Sequence, residues 1–204
     1  ICVRAGMTIT FGLGKPGFFV SEGPAHVGKL RVLPIGFPYE ALRGIATTHF
    51  LFNERLARRY LPTRKETSNK SDHGHLLLIA GRPGFWGAGV LASGSGFRMG
   101  AGYVTWASFE APIEALREVP EVLTASVDDE KLWAGKHTAV AIGPGLGTGA
   151  ETAALIERLK KTKLPVVVDA DAITACVEHN LFPLPANWVI TPHTGEMSRI
   201  LKIN

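Results

Sequence analysis

From His75 onward, apolar positions fall into short unbroken runs separated by glycine-rich or amphipathic stretches. The runs are HLLLIAG (75–81), YVTWASF (103–109), VLTASV (122–127), TAVAIGPG (138–145), LPVVVDADA (164–172) and Trp188–Thr191. Continuous apolar runs of this length predict strands buried on both faces of a parallel sheet. Between them the spacing predicts a small-residue helix from about Gly87 to Met99, a short helix over 111–118, an amphipathic helix over Glu151–Lys161 and a last helix over Glu196–Leu201. Ala172–Val177 also reads as helical, which makes Cys176 a core residue rather than a nucleophile. Strand–helix alternation predicts a doubly wound α/β sheet, whose ligand crevice lies at the carboxyl ends of the strands.

Before His75 the pattern differs. Residues 3–11 (VRAGMTITF), Phe18–Val20 and Lys29–Ile35 predict three short strands, with Ser21–Gly28 as a loop and no helix. Three short strands cannot bury a core alone. Phe50, Leu51, Leu56 and Leu61 mark one face of a helix over 46–61 that Pro62 stops. Residues 63–74 are polar and read as a loop.

Composition narrows the class. The chain is 46% hydrophobic and 20% charged, which excludes a disordered tail. Its net charge of +4 comes largely from Arg55, Arg58, Arg59, Arg64, Lys65 and Lys70. With no aromatic residues interleaved, that run reads as a solvated linker helix and not as a nucleic-acid platform. Cys2 and Cys176 stand in no ligand spacing, so neither a disulfide framework nor a zinc site is expected, and a reducing, cytoplasmic setting is the default. No apolar run reaches membrane-spanning length, and the N-terminus is no signal peptide. A chain that opens on Ile-Cys-Val-Arg and stops at Leu-Lys-Ile-Asn is expected to be a piece of a longer protein.

The candidate chemistry sits where the strands end. Gly81–Gly89 lies between a strand and a helix start, where glycines admit a ligand close to the backbone or simply allow tight helix packing. It is neither a Walker A loop nor a GxGxxG fingerprint. Gly143, Gly145 and Gly147, with Pro144, suggest a backbone cradle for phosphate or ribose, against the plainer reading of a turn. Asp171 suits a helix N-cap, whereas Asp169, inside an apolar run, needs a partner and is the better functional carboxylate. In TPHTGE (191–196), His193 could bond a substrate and Glu196 could hold Mg²⁺ directly or through water. The alternative there is a cap made by Thr194 or Glu196.

Seven stretches together resemble the carbohydrate-kinase-like family of ADP/ATP-dependent NAD(P)H-hydrate dehydratases: LPTRKETSNKSDHGHLLLIAG, GFWGAGVLAS, RMGAGYV, VPEVL, AIGPGLGTG, VVVDADAI and VITPHTGEMSRIL. They span about 62–201 in family order, and one alone would mean little. MTITFGLGKPGFFVSEGPAHVGKLRVLPIGFP (7–38) is similar to the closing strands of the NAD(P)H-hydrate epimerase domain often fused ahead of it. The resemblance implies a ribokinase-like fold divided as 1–44 (end of the epimerase domain), 45–70 (linker with helix) and 71–204 (start of the dehydratase domain).

It also implies a repair reaction, the dehydration of NAD(P)H hydrate at the expense of ADP or ATP with Mg²⁺. K⁺ would serve the epimerase domain, a homo-oligomer is expected, and no nucleic-acid or membrane partner is. Carried over by position, Ala88, Gly145 and His193 match substrate contacts. Gly143, Gly147 and Asp169 lie in the same motifs, and Glu196 resembles a carboxylate used near Mg²⁺. Two positions depart from the pattern: Arg82 stands where the family mostly has serine, and Ser71 replaces a frequent glycine. The family's lysine–glycine nucleotide loop and its motif with the catalytic aspartate would follow Asn204, and the epimerase's potassium and catalytic residues would precede Ile1. A vitamin-precursor or sugar kinase of the same fold, or a nucleotide-binding module without catalysis, are the alternative readings; TPHTGE favours the dehydratase.

Overall fold

The computed structural model describes residues 2–45, 49–61, 63–113 and 117–203, with Tyr39 described in its backbone only. The chain divides into two compact units, Ile1–Leu61 and Pro62–Asn204.

In the first unit, β1 (Met7–Phe11) and β2 (Lys29–Leu33) pair in parallel, Met7 opposite Lys29. Helix α1 (Gly23–Val27) lies between them in sequence, and α2 (Tyr39–Arg43) and α3 (Glu54–Tyr60) follow. The expected strand at Phe18–Val20 does not form, and the expected loop Ser21–Gly28 contains α1. Prolines are the reason: Pro16 opens a 3₁₀ turn over Pro16–Phe18 and Pro24 opens α1, each presetting the backbone angle of a first helical turn. The helix expected over 46–61 is confined to α3, because Asn53 accepts from the Leu56 N–H at 3.0 Å and starts it there. Residues 46–48 and Pro62, also part of that expectation, lie outside the described residues. Only Thr10 is buried among the described residues of this unit, and Met7, Ile9 and Phe11 are each more than half exposed.

In the second unit the alternation continues through β3 (His75–Ile79), α4 (Trp86–Arg98), β4 (Tyr103–Ser108), β5 (Leu123–Ser126), α5 (Glu130–Trp133), β6 (Ala139–Ile142), α6 (Ala150–Lys160), β7 (Val166–Val168), α7 (Asp171–Glu178), β8 (Val189–Ile190) and α8 (Thr194–Leu201). The six strands form one sheet in the order β5-β4-β3-β6-β7-β8, all pairs parallel. Two features escaped the sequence patterns: α5, and a 3₁₀ turn Lys70–His73 inside the expected loop, capped reciprocally by Asn69 and Asp72. Of the short helix expected over 111–118, residues 114–116 lie outside the described ones.

Alternation along β3 explains the two layers. Leu77 and Ile79 join Val140, Ile142, Val166 and Val168 in a core covered by α6 and α7, which contribute Ile156, Leu159, Ile173 and Cys176. Leu76, Leu78 and Ala80 face the other way and pack with Val104, Trp106 and residues of α4. Cys176 is fully buried and its thiol is pushed up to about 11, chiefly by burial, so it is an inert core residue.

Helix α4 approaches β4 so closely that a side chain at Gly89 would come within 2.0 Å of the Trp106 ring, which is held by its indole N–H donating to the Ala80 carbonyl at 2.7 Å. Gly89→Ala should gain about 1 kcal/mol of helix propensity but lose more by overpacking a fixed ring, roughly 1–3 kcal/mol. A lowered urea midpoint is therefore expected, and an unchanged or raised one would refute the packing account.

At the amino ends of the strands, His75 Nε2 lies 2.8 Å from Thr105 Oγ1 and its ring is 4.6 Å from that of His137, with Lys70 over the adjoining Tyr103 ring. Burial, and then the neighbouring His137, hold the His75 imidazole below its usual range. As pH falls below about 6.5 the unfolded chain takes up a proton that the folded one resists, so stability declines with acidification until the lowered folded value is passed. Melting temperatures between pH 8 and pH 5 should fall less for His75→Gln than for the native sequence.

Candidate functional site

Because all six strands are parallel, their carboxyl ends lie on one edge. The chain runs outward from β3 through β4 to β5, then returns to the other side of β3 as β6 and continues outward to β7 and β8. The order therefore reverses between β3 and β6, and the helices that follow those two strands, α4 and α6, cover opposite faces of the sheet, which is where such folds open a crevice. The loops leaving the two strands are 80–85, with two glycines, and 143–149, with four.

The two loops touch. The Gly81 N–H donates to the Pro144 carbonyl at 2.8 Å. Gly145 has φ +66°, and a Cβ there would stand 3.0 Å from the Phe85 carbonyl oxygen and 3.3 Å from the Ala88 Cβ. Glycine is needed for the left-handed backbone, and its missing Cβ lets the loop pack closely against Phe85 and Ala88.

The neighbouring links are as direct. Gly143 packs so tightly beneath the β7 link that a Cβ would fall 1.9 Å from the Asp169 carbonyl oxygen. Ala170 caps α7 with a strained φ of +49°. Asp171 is consequently not the N-cap; one residue further in, its Oδ2 accepts from the Gly147 N–H at 2.8 Å and fixes the glycine loop. Asp169, half-buried, has found the partner its position demands: Oδ1 accepts from the Thr191 hydroxyl at 2.7 Å. A chain of contacts thus joins 80–88, 143–149, 169–171 and 191–196 along one edge.

At the far end of that chain, His193 itself is the N-cap of α8, a role expected of Thr194 or Glu196. Its Nδ1 accepts from the Gly195 and Glu196 N–H groups at 3.0 and 3.4 Å, while Glu196 Oε2 accepts from the His193 N–H at 2.9 Å. This reciprocal cap fixes the tautomer: Nδ1 is an acceptor, so the neutral ring carries its proton on Nε2, in a side chain that is 67% exposed. Glu196 is buried with Oε1 3.5 Å from His193 Nε2. Among the described residues no three His, Cys, Asp or Glu side chains converge as a metal site. A lone, capped carboxylate suits a magnesium ion carried mainly by phosphate oxygens and water, not one caged by protein.

An open cleft of about 900 Å³ lies on the same edge, bounded by Arg82 and Pro83 on one loop, by Gly147, Thr148 and Gly149 on the other, and by Asp128 after β5. Asp169, His193 and Glu196 do not line it. Asp171 and Thr191 are the positions whose roles the sequence concealed. Asp171 carries a capping signature that fits two roles equally, and nothing in Thr191 names a partner 22 residues away. A second cavity, about 710 Å³, lies between α4 and β5 beside Lys70 and Tyr103, remote from the glycine loops.

Comparison with known proteins bears on this geometry. The family described as NAD(P)H-hydrate dehydratase matches residues 76–204. Over 206 residues the chain is 34% identical to the bifunctional NAD(P)H-hydrate repair enzyme of Coxiella burnetii, an overlap of 99% of this chain and 42% of that one. The corresponding enzyme of Moorella thermoacetica is 34% identical over 98% of this chain and 41% of its own length. The chain thus spans about two fifths of the length of the curated relatives it matches. Among solved structures, the ADP/ATP-dependent NAD(P)H-hydrate dehydratase of Bacillus subtilis, co-crystallised with ATP/Mg²⁺, superimposes with a TM-score of 0.63 at 26% identity, covering 74% of this chain and 55% of that one. A ribokinase-like superfamily protein of Enterococcus faecalis shares the fold with a TM-score of 0.66 at 24% identity, over 73% and 55% of the two chains.

Removing the carboxylate in Asp171→Ala leaves the Gly147 N–H without its charged acceptor. A loss of roughly 1–3 kcal/mol in chemical denaturation is expected, together with faster amide exchange at Gly147; unchanged exchange there would show that the loop is held by other means.

Proposed function

The chain belongs to the NAD(P)H-hydrate dehydratase family, and from that premise we propose that the protein repairs hydrated NADH and NADPH. In this proposal residues 71–204 form the beginning of a dehydratase domain. Residues 1–44 form the end of an epimerase domain whose remainder covers the apolar faces exposed on β1 and β2, and 45–70 link the two. The observation that carries the reading is the apposition of Gly145 with Ala88 at the point where strand order reverses.

The chemistry follows from the substrate. A hydroxyl beside the ring nitrogen is a poor leaving group, so its oxygen attacks the terminal phosphorus of ADP or ATP. A new O–P bond forms, the phosphoanhydride bond breaks and the hydroxyl proton passes to a base. The ring nitrogen's lone pair then expels phosphate as the C–O bond breaks. Loss of a proton from the adjoining carbon restores the dihydronicotinamide. Such a reaction draws mainly on positioning and charge neutralisation.

In this account Ala88 and Gly145 contact the dinucleotide, while Gly143 and Gly147 keep the backbone low around it. Asp169 and Asp171 hold the loops in register, and His193 presents its Nε2–H to the substrate. The proton acceptor comes from the glycine-rich motif that lies later in the family. Mg²⁺, met by Glu196 through water, would neutralise phosphate charge. Its arrival with the nucleotide agrees with the lone carboxylate available. K⁺ belongs to the proposed epimerase domain, and assembly into a homo-oligomer is part of the same reading.

The test is direct. The full-length protein, given hydrated NADH and ADP or ATP, should restore dihydronicotinamide absorbance and release phosphate in equal amounts; a stable phosphorylated product without phosphate release would make it a kinase. His193→Asn separates recognition from capping, because asparagine is itself a strong N-cap and should hold stability within about 0.5 kcal/mol. It should nevertheless lower kcat/KM by about tenfold or more. Full activity in that variant would remove His193 from the site.

A further inference from the structure

We propose that Arg82 is a specificity-determining residue that grips a phosphate group of the nucleotide entering the cleft. The inference rests on the dehydratase reading and deepens it. Arg82 is the third residue after β3, where serine would be expected from the family's pattern, and its side chain is exposed along the cleft wall. Its guanidinium lies 4.2 Å above the Phe85 ring. Its stem runs beside Gly147, close enough that a Cβ on that glycine would come 3.5 Å from the Arg82 Nε. Held between an aromatic face and a glycine, the side chain has little rotamer freedom left to lose on binding.

Charge accounting identifies what it would bind. The cations lining the cleft are Arg82 and Arg158. Arg158 is already committed, with Nη2 2.9 Å from Glu130 Oε2 and the guanidinium over the Trp133 ring. Arg82 has no carboxylate partner among the described residues. The remaining charges on the cleft, Glu110, Asp128 and Glu151, are negative. They repel an anion from the rest of the opening and confine one to the Arg82 wall. A planar guanidinium with free N–H groups matches phosphate oxygens two at a time. Phe85, which supports Arg82, also adjoins Gly145, so the cation and the proposed dinucleotide surface share a residue. The phosphate could be the 2′-phosphate that distinguishes NADPH from NADH, the diphosphate common to both, or a phosphate of ADP.

The test compares the full-length protein with its Arg82→Ser and Arg82→Lys variants by calorimetric titration with NADPH, NADH, ADP and inorganic pyrophosphate. Arg82→Ser should weaken at least one ligand by about tenfold, and Arg82→Lys should recover part of the loss. Loss confined to NADPH assigns the 2′-phosphate, equal loss for NADPH and NADH assigns their diphosphate, and loss for ADP alone assigns the co-substrate. Affinities for all four within about twofold of the parent overturn the inference while leaving the dehydratase reading intact. A parent protein that binds pyrophosphate through Arg82 yet fails the repair assay would keep the inference and sink that reading. A parent that binds none of the four ends both.

Discussion

The parallel pairing of all six strands is the constraint on which the rest of the second unit depends. A parallel pair cannot be closed by a tight turn, so each connection must cross back over a face of the sheet. That requirement places every carboxyl end, and every loop that leaves one, on a single edge. It also sorts the helices: α4 covers Leu78 and Trp106 on one face, while α6 and α7 cover Ile79, Ile142 and Val168 on the other. The reversal of strand order between β3 and β6 then opens the crevice where two glycine-rich loops meet.

Once the loops share an edge, close approach does the rest. Glycine at 143 and 145 brings neighbouring links within van der Waals distance, and carboxylates tie what remains free. Asp171 takes a loop N–H and Asp169 takes a hydroxyl from the next strand's end. These acidic groups lock loop geometry through hydrogen bonds, which preorganises the edge before any ligand arrives. The reciprocal His193–Glu196 cap has the same consequence at α8, because the bonds that start the helix also decide which imidazole nitrogen accepts and which carries the proton. The residues proposed for recognition therefore also hold the backbone here, and a substitution that tests recognition must preserve that structural role.

The two units contrast in what they bury. The second has an apolar core on both faces of its sheet. The first leaves Met7, Ile9 and Phe11 largely exposed and buries only Thr10 among its described residues. Two paired strands have too little area to enclose a core, whatever their residues. Their apolar character is the signature of a surface that packs against something else.

By itself the sequence determined the class of the fold and the sheet edge on which its glycine-rich loops gather. Unbroken runs such as Leu76–Ile79 and Val166–Val168 are intelligible only as strands covered on both sides, and the glycines that follow them mark where backbone comes close to something. Boundaries at Pro16, Pro24 and Asn53 depart from apolar alternation because proline and capping chemistry override it locally. Only the tertiary structure decided that β6 lies beside β3, that Asp171 serves Gly147 and not its own helix, and that Arg82 rests on Phe85 without a carboxylate. Periodicity records which face of an element is buried, whereas these pairings depend on distances between residues far apart in sequence, which no local pattern encodes.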